Sequence, residues 1–162
     1  MGAGATQAVR VLVSAKVPHT VHQYRHDPGS SSYGLEAAEA LGVRPESVFK
    51  TLIVELSDGK LAVAIAPVNC TLSLKAAASA LGASRATMAD PAKAQRSTGY
   101  VLGGISPLGQ KKQLATVIDS SVLTHEQIFC SAGKRGMEIE LASADLIQLT
   151  SAVVAHIAAR TS

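Results

Sequence analysis

Lys50 is the residue whose position most invites chemistry. It interrupts Phe49-Lys50-Thr51-Leu52-Ile53-Val54, a run otherwise fit for burial, and lysine is almost never fully buried without a partner. Directed to solvent at a strand edge, it is a gatekeeper against edge-to-edge pairing. Directed into a cleft, it is a fixed cation beside apolar walls, suited to a phosphate or to a carbonyl oxygen that gains charge during reaction. Both readings stand. The second candidate is the stretch from Gly99 to Lys112, GYVLGGISPLGQKK. Glycine permits positive φ and lets a ligand approach main-chain N–H groups closely. A nest of such groups followed by cations suits an anion or a developing oxyanion. The same residues would equally make a tight corner in a β-rich core.

Other chemistries fit less well. Gly104-Ile105-Ser106-Pro107-Leu108-Gly109 has the span of a P-loop, but Gln110 stands where the phosphate-binding lysine belongs, and no Ser or Thr follows to hold magnesium. The GxGxxG pattern is absent too, so nucleotide chemistry is unsupported. His19, His22 and His26 are spaced loosely like metal ligands. On a strand, however, His22, Tyr24 and His26 share a face opposite His19, and no clustered cysteine or carboxylate completes a tetrahedral set. The expectation is no metal and no cofactor. No nucleophile declares itself: Ser106 precedes Pro107, GxSxG is missing, and Cys70 and Cys130 serve equally well as core fillers. Chemistry would then come from water or from the substrate. Lys111-Lys112 and Lys134-Arg135 each follow a glycine turn. Each pair alone reads as solvated charge, whereas both flanking one cleft would form a track for RNA phosphates.

The elements that must position these residues are short. Thr6 caps a predicted helix from Gln7 to Ala15 with Val9, Leu12 and Val13 on one face. A strand over Thr20–Arg25 turns at Asp27-Pro28-Gly29 into a loop at Ser30–Ser32, and a helix spans Gly34–Leu41 with Gly42 at its C′ position. Strand Val48–Leu56 enters a hairpin at Ser57-Asp58-Gly59 and returns as Lys60–Ala66, stopped by Pro67. Ser73 caps a helix ending at Leu81-Gly82, and Asp90-Pro91 opens another. The glycine stretch begins as a strand before it breaks, and Leu114–Asp119 is a further strand. Thr124–Gln127 is a capping box or a single turn. Ile128–Ser131 and Met137–Leu141 are strands about a turn at Ala132–Gly136, with Glu138 and Glu140 on one face. Ser143 caps one helix and Ser151 another over 152–159, which places His156 on a helix surface and His125 in a solvated turn. Helices interspersed with hairpins predict an α+β fold with a mixed or largely antiparallel sheet.

The 162 residues suit one domain, expected over 6–162 behind a flexible leader at 1–5. Alanine inflates the 47% hydrophobic content, and no apolar run approaches the ~18 residues of a membrane span. The first residues show no basic region ahead of an apolar block, so no secretory signal and no membrane association are expected. Cys70 and Cys130 form no CxxC pair, which points to a reducing cytoplasm. Net charge of +3 permits an RNA partner without demanding one.

Taken together, the residues resemble a known family. Tyr24 with His26-Asp27, then Val48-Phe49-Lys50-Thr51-Leu52, is similar to the first half of the bacterial YbaK-type Cys-tRNA(Pro) deacylases, relatives of the editing domain of prolyl-tRNA synthetases. Met88-Ala89-Asp90-Pro91, the run from Ala94 to Tyr100, Gly103–Lys112 and Gly133-Lys134-Arg135-Gly136 extend the resemblance over nearly the whole chain. It implies a single compact domain with a curved mixed, largely antiparallel sheet (a partial barrel) flanked by short helices. It also implies hydrolysis of cysteine from mischarged tRNA(Pro), with a prolyl-tRNA synthetase as transient partner. Binding alone separates small amino acids by only ~1–3 kcal/mol per methylene, hence the need for editing. In such enzymes the substrate's own thiol attacks its ester and leaves as a cyclic thiolactone. By the resemblance, Lys50 is the essential lysine and the Gly103 N–H stabilises the oxyanion. Tyr24, Tyr33, Gly104, Ser106 and Glu138 then belong to the substrate site, with Glu138 placed to hold the α-ammonium where relatives often carry aspartate. Lys111, Lys112, Lys134 and Arg135 would contact acceptor-stem phosphates. The alternatives are an Ala- or Ser-tRNA deacylase that activates water, and a non-catalytic tRNA- or synthetase-binding module.

Overall fold

A computed structural model of the protein describes residues 6–26 and 33–160. The expected leader, the turn at Asp27-Pro28-Gly29 and the loop at Ser30–Ser32 lie outside the described residues. Helix α1 (Gln7–Ser14) is capped as anticipated, the Thr6 hydroxyl accepting a hydrogen bond from the Val9 N–H. Its buried face is Ala8 and Leu12, while Val13 is 63% exposed. Turning Leu12 inward carries Val13 about 100° round the helix, so the expected stripe cannot hold both.

Strand β1 (His19–Gln23) and helix α2 (Tyr33–Leu41, closed at Gly42 with φ +67°) precede the hairpin of β2 (Phe49–Leu56) and β3 (Leu61–Pro67). The hairpin has the expected turn, with Glu55 opposite Leu61 and Gly59 at φ +87°. Along β3, Val63 and Ile65 face the main core, while Ala62 and Ala64 pack under the next helix. That helix, α3 (Leu74–Ala80), answers with Ala77 and Ala78, and small residues on both sides let it lie close to the sheet. Ser73 caps it through Ala76 N–H, and Asp90 caps α4 (Pro91–Thr98) through Lys93 N–H, both as the sequence implied.

Two three-residue strands, β4 (Cys70–Leu72) and β5 (Ala86–Met88), were too short for any alternation to announce them. The chain continues with β6 (Ala115–Asp119), β7 (Gln127–Lys134), β8 (Met137–Ala142), α5 (Ser143–Thr150), β9 (Val153–Ala155) and β10 (Ala158–Arg160). The architecture is α+β with mixed pairing. One five-stranded sheet has the order β5-β2-β3-β6-β9, with β3–β6 and β6–β9 parallel. A second, antiparallel, has the order β1-β8-β7, and β10 pairs with β4 in a third. The sheets are separate and do not close into a barrel, although a Val48–Phe129 bridge joins the first two. Between those two lies the core: Phe49, Ile53, Ile65 and Ile118 from one side, Ile128, Met137, Ile139 and Leu141 from the other. Each such side chain contributes roughly 1.5–3 kcal/mol on burial.

Several expectations fail, each for an identifiable physical reason. The glycine stretch does not begin as a strand, because Gly99 adopts φ +81° and caps α4. Beyond Gly99 the chain forms a closed loop: the buried Tyr100 hydroxyl donates to Leu108 O at 2.6 Å, and the N–H groups of Lys111 and Lys112 return to Thr98 O and Ser97 O. The helix expected over 152–159 is replaced by β9 and β10. Ser151, rather than capping a new helix, ends α5 in the left-handed region at φ +52°, and Val153-Val154 then extends alongside β6. His156 therefore sits between two strands. The turn near Thr124 is a 3-10 helix over Ser120–Thr124 capped by Asp119, and Ser143 donates to His125 O instead of capping α5. Strand β7 runs on to Lys134, so the turn into β8 is tighter than the five residues expected.

Candidate active site

The two main sheets diverge where β2 loses its outer neighbour. Ile53 O accepts from Ala89 N–H and Glu55 stands opposite Thr87, so odd-numbered β2 residues present their main chain toward β5. The contact ends with the Ile53–Ala89 hydrogen bond, one residue beyond the Val54–Met88 pair, and Thr51 is left at an open edge. A cavity of about 440 Å³ fills that gap, walled by β2, the start of α2, the glycine loop and the β7–β8 ladder. Lys50, Gly103, Tyr24, Tyr33 and Glu138 all line it. Residues separated by as much as 114 positions (Tyr24 to Glu138) thus meet around one hollow.

Lys50 is half-buried, and its ammonium donates to the main-chain oxygen of Cys70 at 2.5 Å. Burial lowers its pKa from the ordinary 10.5, opposed by the Cys70 thiol. Opposite it, Gly103 holds φ +90°, and its N–H has no hydrogen-bond partner among the described residues. A β-carbon there would stand 3.2 Å from the Tyr33 ring, so the position is glycine both for conformation and for space. Tyr33 is itself held by Arg135, whose guanidinium carbon lies 4.3 Å from the ring centroid and which also pairs with Glu36 at 3.2 Å.

Glu138 is 7% exposed, and no cation pairs with it among the described residues. Burial pushes its pKa to about 8, so near neutral pH it is mostly a neutral acid awaiting a positive partner. Tyr24 is raised as well, first by burial and then by the neighbouring Glu138 charge, while its N–H is fixed on Gly136 O at 2.9 Å.

Other candidates lie elsewhere. Ser106 is fully buried with its hydroxyl accepting from Leu108 N–H, so it shapes the loop from within and does not face the cavity. Gly104 is also off the cavity; a β-carbon there would come within 2.6 Å of Lys134 Cα, and it is a packing glycine that seats the loop on the β7–β8 turn. Lys111, Lys112 and Lys134 are exposed around the same loop, whereas Arg135 braces the cavity wall. His22 pairs with Glu140 at 2.9 Å and His19 with Val17 O, and among the described residues no group of three or more potential ligands converges on a metal position.

Two hydroxyl-bearing lining residues, Thr51 and Ser131, escaped the sequence reading. Thr51 carries a buried hydroxyl without a partner among the described residues, and the Ser131 hydroxyl accepts from Gly133 N–H. The signal for Thr51 was its place beside Lys50 on a strand whose outer partner ends early, which only the pairing pattern reveals. Among the described residues, no histidine lines the cavity to activate either hydroxyl.

A compact α+β domain with a lysine, an open amide and a buried acid around one cavity defines a small ester- or anion-handling site. The comparisons make that class specific. A family model described as the aminoacyl-tRNA editing domain matches residues 28–149. The chain is 36% identical over 152 residues to an Enterococcus faecalis protein provisionally named Cys-tRNA(Pro)/Cys-tRNA(Cys) deacylase EbsC, covering 94% of this chain and 92% of that one. A solved structure provisionally described as a trans-editing enzyme for prolyl tRNA synthetase superposes with a TM-score of 0.82 at 21% identity, over 98% of this chain and 99% of its own. A scaffold used for computational epitope grafting does so with 0.85 at 21% identity, over 99% and 100%. These two likenesses speak for the fold alone. The chain belongs to the aminoacyl-tRNA editing domain family and is an aminoacyl-tRNA editing enzyme.

Proposed function

We propose that the protein removes cysteine from mischarged Cys-tRNA(Pro) in trans, in transient association with a prolyl-tRNA synthetase. The observation that supports this reading is that Lys50 and Gly103, whose N–H has no partner among the described residues, line one cavity of about 440 Å³. Lys50 binds the ester carbonyl or the terminal nucleotide, and the Gly103 N–H receives the oxyanion. One such donor contributes about 10²–10³ in rate. Glu138 takes the substrate α-ammonium, gaining in the complex the cation that no described residue supplies. Among the described residues the lining hydroxyls have no base beside them, and the nearest buried thiol, Cys130, is pushed toward its neutral form by burial and by Glu138. On this reading the attack falls to the substrate's own sulfur. Its thiolate attacks the ester carbon, the carbon–oxygen bond to ribose breaks, and the ribose oxygen leaves with a proton as the cyclic thiolactone departs.

Release of radiolabelled cysteine from Cys-tRNA(Pro) tests the reading. Lys50→Ala is expected to lower kcat/KM by about 10² or more; no release above the buffer rate by the parent protein would refute it.

A further inference from the structure

Asp119 lies outside the cavity, yet its carboxylate is among the most fully engaged groups in the molecule. It is 2% exposed; Oδ1 accepts from the N–H groups of Ile157 and Ala158, each at 2.9 Å, and Oδ2 accepts from Ser121 N–H at 3.1 Å. Burial alone would raise its pKa, but the Ser121, Ile157 and Ala158 donors outweigh that and bring it below the ordinary carboxylate value. Two of these bonds fix the chain at the start of β10. That strand matters because β4 pairs with it, Ala158 opposite Leu72 and Arg160 opposite Cys70.

Ser73 N–H donates to Ile157 O at 2.7 Å, which makes that pair hydrogen-bonded. Bonded and non-bonded pairs alternate along an antiparallel ladder. The pairs Leu72–Ala158 and Cys70–Arg160 are accordingly non-bonded, and the Cys70 carbonyl turns away from β10. It is this carbonyl that accepts the hydrogen bond from Lys50 Nζ. A strand of three residues has little stability of its own. It is seated between β3 and β10, with Leu72 packed beneath α3, and the start of β10 depends on a carboxylate 38 and 39 residues away in sequence.

We propose that Asp119 is a positioning residue for Lys50: by anchoring β10, and through it β4, it fixes the Cys70 carbonyl and thereby holds the ammonium at the cavity wall. The inference rests on the reading of Lys50 as the substrate-binding cation. Loosening this relay frees the lysine to swing into solvent without removing any group from the cavity itself.

The test reads Lys50 directly, by competitive acetylation with acetic anhydride over a pH series, with mass spectrometry of the Lys50 peptide and exposed Lys60 as internal reference. In Asp119→Ala the labelling midpoint of Lys50 is expected to rise toward the ordinary 10.5, because the freed amine regains water. Asp119→Asn keeps an Oδ1 acceptor for Ile157 and Ala158 and is expected to stay near the parent. Ala159→Pro, at an exposed position of β10, removes a ladder donor while leaving Asp119 in place, and covers the case in which Asp119→Ala does not fold. It should move the midpoint in the same direction. Deacylation by Asp119→Ala and Ala159→Pro should fall about tenfold in kcat/KM. A midpoint that stays at the parental value in Ala159→Pro and in folded Asp119→Ala would overturn the inference. A parent protein that labels as expected but releases no cysteine would instead overturn the deacylase reading, so the two failures are distinguishable.

Discussion

At the scale of single residues, the cavity wall carries charge and hydrogen-bonding capacity that the described residues leave incompletely paired. Lys50 is held at a wall by a main-chain oxygen, Gly103 lines the same cavity with an N–H that has no partner among the described residues, and Glu138 is buried with no cation beside it among the described residues. The last of these has a thermodynamic signature. Its folded pKa of about 8 lies above the ordinary 4.5, so between those values the folded chain keeps a proton that the unfolded chain has lost. Unfolding then releases a proton, and the Glu138 contribution to stability falls as pH rises from about 4.5 to about 8. Glu138→Gln should abolish that fall, matching the parent at pH 4 and exceeding it in Tm at pH 8 and above. The same variant should raise KM, because a neutral amide cannot hold an ammonium. Thermal melts across pH check the first expectation, and a Glu138→Gln protein that keeps the parental slope would show that another group causes it.

At the scale of elements, the site depends on how loops are tied. The glycine loop owes its shape to Tyr100, whose hydroxyl spans from the exit of α4 to Leu108 O. Tyr100→Phe leaves that buried carbonyl without its donor and should cost about 1–3 kcal/mol in urea denaturation. It should also lower kcat/KM, since Gly103 sits within the loop; unchanged stability would mean that the loop is held from elsewhere. Legibility in the sequence divides in the same way, between near and distant causes. The Ser57-Asp58-Gly59 hairpin and the caps at Thr6, Ser73 and Asp90 are decided within a few residues, and each stands where local chemistry put it. Residues 152–159 read as a helix because their alanines favour one, but a parallel strand, β6, and the distant Asp119 carboxylate override that preference. The five cavity residues Tyr24, Tyr33, Lys50, Gly103 and Glu138 were legible through the family resemblance rather than through spacing. Ser106 and Gly104 share their motif with Gly103, and nothing local distinguishes an inward-packed loop residue from an outward one. Thr51 was hidden because its importance lies in a neighbouring strand that ends early.

At the scale of the molecule, a net charge of +3 gives little long-range pull on tRNA, and on the proposed reading electrostatic guidance falls to the exposed lysines around the glycine loop. Replacing Lys111 and Lys112 together by alanine should weaken tRNA binding at low salt and reduce the slope of log K against log salt by about one to two. An unchanged slope would place the tRNA elsewhere on the surface. The cavity, by contrast, should be indifferent to those lysines once the substrate is bound. Its central claim concerns where the nucleophile comes from, and the sharpest measurement is a single-turnover comparison of cysteine and serine esters on the same tRNA(Pro). With the substrate's thiol as the attacking group, cysteine should leave at least about a hundredfold faster than serine. Equal rates for the two esters would mean that water, activated by the protein, does the work, and would contradict the account.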